Sequence, residues 1–178
     1  MRYLITLFSL CLIFGSKMLL AQDMPVSSKT NLVTYQEVVS EEGDKIEFYN
    51  RANTWLGTYY KNAFSVTTLR KKDEGVIKGK HQFQIFDYED DSVRVVAGFI
   101  LYKFNLEFKE GRYRYTMTDF VMRKKTRLPI EDWLTDEAPE KGAKYPSYLM
   151  QINAYAENWV ESLKKGMKPV EVKVEEEW

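Results

Sequence analysis

One stretch, FNLEFKEGRYRYTMTDF (residues 104–120), admits a single sensible strand pairing. A two-residue turn at Glu110-Gly111 sets Lys109 opposite Arg112, because an X-Gly pair supplies the positive φ that tight hairpins need. Phe108 then faces Tyr113, Leu106 faces Tyr115 and Phe104 faces Met117. On the other side Glu107 meets Arg114, Asn105 meets Thr116 and Lys103 meets Thr118. Apolar opposes apolar and polar opposes polar at each step. A slip of one residue would turn every side chain to the wrong face. The stretch is therefore predicted to be a hairpin with its aromatic rings under cover and its cations in the open.

The rest of the chain follows by periodicity. LVTYQEVVS (32–40) is a β-branched strand, and Asp44 after the turn EEGD is placed to cap a helix. Residues 44–62 carry Phe48, Ala52, Trp55 and Tyr59 at helical spacing, widened by Ile46, Tyr49 and Leu56. AFSVTTLR (63–70) is expected as a second strand. Residues 76–86 alternate Ile77, His81, Phe83 and Ile85 with Lys78, Lys80, Gln82 and Gln84, a third strand. DYEDDS is expected as an acidic turn, followed by strands from about 95 to 109 and from 112 to 123. Residues 124–146 hold three of the five prolines and are expected as a long loop. The second helix is expected over 147–166, with Ser147 as cap, Gly166 as stop, and Leu149, Ile152, Tyr155 or Ala156, Trp159 and Leu163 as its apolar stripe. The order β-α-β(4)-α, with short turns between later strands, predicts an α+β two-layer sandwich: an antiparallel sheet with both helices on one face.

At 178 residues the chain suits one domain with a proper core, and its 12 tyrosines favour a half-buried pleated surface. Met1-Arg2, the largely apolar run Leu4 to Phe14 and a small residue at Ala21 read as a secretory signal. The expected division is 1–21 signal peptide, 22–31 polar leader, 32–166 domain and 167–178 charged tail. Cys11 lies inside the apolar run and follows Leu10, which makes a poor lipoprotein site. A mature chain starting near Gln22 would have no cysteine and no transmembrane segment, and would be secreted or periplasmic.

Lysine plus arginine equals aspartate plus glutamate, 26 each, so overall charge recommends neither nucleic acid nor an acidic membrane. The local distribution differs. If the third strand keeps the hairpin's sidedness, Lys78, Lys80, Lys103, Lys109, Arg112 and Arg114 share one open face with Glu107 as its single acid, a candidate anion-binding surface. Catalytic patterns are scarce. His81, the sole histidine, is expected as a hydrogen-bonded core residue, and no cofactor or metal is implied. Asp87, Glu89 and Asp91 alternate as calcium ligands do, but the central glycine and distal glutamate are missing. Glu131, Asp132, Asp136 and Glu137 could pair as acid and base in a hydrolase.

Tyr49-Asn50-Arg51-Ala52 with Trp55, the run Gly75 to Lys80, and Gly111 to Arg114 resemble, in order and spacing, the bacterial family called domain of unknown function 4468. DYEDD and residues 124–146 have no counterpart in that resemblance. It implies a TBP-like fold and no activity. The function expected is a non-enzymatic binding or assembly module of the cell envelope, with an envelope protein or an anionic glycan as partner. Alternatives are a carrier of an apolar ligand beneath the helices and a hydrolase using the loop carboxylates.

Overall fold

The hairpin forms in the expected register. Strands β4 (Val93–Lys109) and β5 (Arg112–Arg123) pair Phe104 with Met117, Leu106 with Tyr115, Phe108 with Tyr113 and Lys109 with Arg112. Gly111 in the turn has φ +67°, and nothing lies within 4 Å of where a Cβ would stand. Only its conformation demands glycine. Gly111→Val is expected to cost about 1–3 kcal/mol, the strain of a β-branched residue in the left-handed region. An unchanged urea midpoint would contradict this.

The computed structural model describes residues 24–89, 93–123, 127–134 and 144–169. Around the hairpin lie β1 (Thr34–Ser40), α1 (Lys45–Tyr59), the single turn α2 (Ala63–Val66), β2 (Thr67–Lys71), β3 (Val76–Glu89), β6 (Arg127–Pro129), a 3-10 turn (Ile130–Trp133) and α3 (Tyr145–Gly166). The antiparallel sheet runs β1-β5-β4-β3-β2, with β6 also on β5. Asp44 caps α1 by accepting from the N–H groups of Ile46 and Glu47, and Glu47 returns a bond to the Asp44 N–H. Phe48, Ala52, Trp55 and Leu56 of α1 meet Tyr148, Ile152, Ala156, Trp159 and Leu163 of α3 in one core with the inward residues of β3, β4 and β5. This is the two-layer α+β arrangement with both long helices on one face.

Several local expectations are corrected. Residues 63–66 are a helical turn, because the Asn62 side chain accepts from the N–H groups of Phe64 and Ser65. β3 continues through the acidic residues to Glu89. Helix α3 starts at Tyr145, with Pro146 in its first turn, so Ser147 is not its cap. The helix ends at Gly166 as expected, and Gly166 is also a close-approach site, since its Cβ would come within 2.8–3.0 Å of the Trp55 side chain. Tyr148 rather than Leu149 takes the buried place. Within the expected loop, β6 pairs with β5, Ile130 is buried, and Trp133 stacks on Tyr145 with centroids 4.9 Å apart. The leader is also engaged in part: Met24 is buried and Val26 bridges to Val33. The signal region and the tail beyond 169 lie outside the described residues.

Candidate functional site

The open sheet face is built row by row. Lys109 opposes Arg112; Glu107 opposes Arg114; Lys78, Asn105 and Thr116 form the next row; Lys80, Lys103 and Thr118 the next. All six expected cations are exposed and alternate with buried residues of the same strands, so the structure brings them together on one surface. Arg114 is held by Glu107 at 2.6 Å, an acid that also accepts from Asn105. Lys103 is held by Asp119 at 2.6 Å. Among the described residues, Lys78, Lys80, Lys109 and Arg112 have no carboxylate within 4.0 Å.

Asp119 is a residue that alternation alone hides. It has φ +57° and sits where the register between β4 and β5 shifts, between Leu101 and Lys103. The bulge adds one residue, so Thr118 and Asp119 both reach the open side while Phe120 turns into the core. A second missed feature is the pair Arg123 and Arg127, directly opposed across β5 and β6. Arg127 joins Lys80, Gln82, Leu101, Lys103 and Asp119 around a shallow hollow of about 310 Å³. Two further hollows lie on the same face. One, near 310 Å³, is bounded by Lys109, Arg112 and Arg114; the other, near 290 Å³, by Lys78, Lys80 and Lys103.

The core between the helices and the sheet is packed with aromatic rings. Trp159 is fully buried, packs edge-on to Trp55 at 5.2 Å, and donates its indole N–H to the Tyr60 hydroxyl at 2.7 Å. The hydroxyls of Tyr60 and Tyr102 lie 2.9 Å apart, as do those of Tyr102 and Tyr155. Burial raises all three phenol pKa values, that of Tyr155 to about 12, so the chain stays protonated at ordinary pH. His81 faces this side beside Tyr60, as expected, but its buried Nδ1 has no hydrogen-bond partner among the described residues, which corrects the expectation of a bonded histidine. Burial lowers its pKa and favours the neutral ring.

Of the carboxylates read as possible catalysts or ligands, Asp87, Glu131 and Asp132 have structural partners. Glu131 accepts from the Val33 N–H at 2.8 Å. Asp87 accepts from the Tyr148 hydroxyl at 2.6 Å and pairs with Lys144 at 2.8 Å. Asp91, Asp136 and Glu137 lie outside the described residues. No described helix is long and apolar enough to cross a membrane.

A family model described as domain of unknown function (DUF4468) with TBP-like fold matches residues 35–123, which span β1 to the end of β5. The chain belongs to the DUF4468 family. The match covers the whole open face except β6. A TBP-like protein from Parabacteroides distasonis ATCC 8503 superposes with a TM-score of 0.63 at 17% identity, covering 80% of this chain and 96% of that one. A DUF4468 family protein from Bacteroides ovatus ATCC 8483 gives 0.65 at 14% identity, covering 83% and 93%. At such identities the likeness concerns the fold alone. A search of curated proteins returned no match.

Proposed function

We propose that this DUF4468 chain is an exported, non-enzymatic binding module whose open sheet face takes an acidic polysaccharide of the cell envelope. One observation carries the reading. Lys109 and Arg112, Lys80 and Lys103, and Arg123 and Arg127 are three cation pairs placed directly opposite one another on adjacent strands, with Asp119 on Lys103 offsetting part of the second. Like charges directly opposed across strands destabilise a sheet. Their repetition on one face of a chain with zero net charge favours a bound anion that offsets the repulsion. Shallow hollows between exposed cations suit a flexible polymer better than a small enclosed ligand.

The test is titration with an acidic polysaccharide such as polygalacturonate at several salt concentrations. Affinity is expected to fall steeply with salt, because exposed charges are screened within about 8 Å at physiological ionic strength. Replacing Lys80, Arg112 and Arg114 by glutamine is expected to abolish binding with a stability change of about 0.5 kcal/mol or less. Equal binding by the triple variant would reduce the basic face to a solubility device. Export carries its own check: mass spectrometry of the native protein is expected to find a start near Gln22. A retained Met1 would exclude cleavage.

A further inference from the structure

The sheet has an open edge whose backbone groups the binding face does not use. β2 pairs with β3 only from Val76 to Gly79, yet β3 runs on to Glu89. The Thr67–Gly79 pair still engages the Lys80 N–H, but from Gln82 to Ile85 no described strand pairs with the side of β3 that faces away from β4. At Phe86 that side is occupied again. The Gln151 side chain of α3 accepts from the Phe86 N–H at 2.9 Å and donates to the Phe86 carbonyl at 2.9 Å. A primary amide making both bonds to one residue reproduces what a neighbouring strand would offer. Backbone groups alternate between the two sides of a strand, and the Gly75 carbonyl accepts from the Phe108 N–H of β4 at 2.8 Å. Odd positions therefore serve β4. Even positions, Lys80, Gln82 and Gln84 with Phe86, point outward from the edge.

The flanks of the edge differ. On the helix side, half-buried His81 and Tyr155 border a hollow of about 420 Å³ that Tyr59, Tyr60, Lys61 and Val66 help to line. On the open side stand Lys80, Gln82 and Gln84. Proteins usually guard such an edge with proline, charge, a bulge or a covering element. Here the one cation, Lys80, stands at one end, and the guard at the other end is Gln151.

We infer that the Gln82–Ile85 edge of β3 is a strand-addition site for an extended peptide of another protein, with apolar side chains alternating with acidic ones. The backbone bonds supply the pairing. Apolar residues of the peptide enter the hollow beside His81 and Tyr155, and acidic ones lie beside Lys80. The site borders the polysaccharide face and shares Lys80 and Gln82 with it, but its backbone pairing does not rest on that reading.

The probe is a fluorescein-labelled synthetic peptide Val-Glu-Val-Glu-Phe-Glu-Val, with a counterpart carrying proline at alternate positions. The first is expected to bind, and the second to bind at least about tenfold more weakly, as removal of backbone donors requires. In the protein, Gln84→Pro removes an outward N–H without touching the β4 ladder, and is expected to weaken the peptide by a similar factor. Wild-type amide exchange keeps the test open if that variant misfolds: the Gln82 and Gln84 amides are expected to slow about tenfold or more on peptide addition. Equal binding of the proline peptide, or unchanged exchange at both amides, would overturn the inference. So would a dimer that forms without peptide and is lost in Gln84→Pro, since the edge would then belong to a second copy.

Discussion

Gly79→Ala is expected to lower the stability of the fold by about 3 kcal/mol, near the upper end for an overpacked core. The added methyl would stand 2.2 and 2.4 Å from ring carbons of Phe104 and 2.5 Å from the carbonyl oxygen of Val66. Neither neighbour has room to yield. Phe104 is stacked on Tyr60 and tilted against Trp159, and the Val66 carbonyl belongs to the backbone of α2. For a domain of this size the loss corresponds to roughly 6–12 °C in Tm by calorimetry. Gly57→Ala is the control. Nothing lies within 4 Å of its missing Cβ, and it sits inside α1, so alanine there is expected to stabilise by about 0.5–1 kcal/mol. If both variants melt with the wild type, the packing of β3 beneath α2 is not as described.

Trp159→Ala is expected to be more damaging still, at about 3–5 kcal/mol. The indole is buried completely and touches Trp55, Phe104 and Tyr115, so both helices and the central strands lose a common partner. Against a usual net stability of about 5–15 kcal/mol, this is a large fraction. Trp159→Phe separates two causes. It keeps most of the ring contact but removes the N–H that the Tyr60 hydroxyl accepts, so it is expected to cost about 1–2 kcal/mol. Urea unfolding of the two variants measures the difference. Equal midpoints for Ala and Phe would mean that the hydrogen bond, not the packing, dominates.

The sheet was legible in the sequence wherever strict alternation ran unbroken. The β4–β5 register follows from pairing Phe104, Leu106 and Phe108 with Met117, Tyr115 and Tyr113. The open face follows from the same alternation. Reading failed where one residue changed the count or a side chain overrode a propensity. The bulge at Asp119 breaks the period of two, and no local composition announces it. Asn62 converts a β-branched stretch into a helical turn through two side-chain bonds. Prolines 129 and 146 suggested a loop, yet Pro129 ends an edge strand and Pro146 sits in a first helical turn, both positions that need no N–H from it. Arg123 and Arg127 were invisible as a pair because β6 was invisible as a strand. The open edge of β3 depends on β2 stopping early, which no residue of β3 records.

The segregation of cations onto one face of a chain with no net charge has an orientational consequence. Seen from afar, such a molecule carries little net charge, and removal of Arg2 and Lys17 with a signal peptide would leave it slightly negative, so the cations of the sheet count only at close range. A distant polyanion exerts little net pull on it, but at close range it exerts a torque. Approach would therefore be undirected until the two surfaces come within about one screening length, near 8 Å, and only then would rotation present the sheet. On the proposed reading such a protein would drift freely among negatively charged surfaces and commit only on near contact, in one orientation.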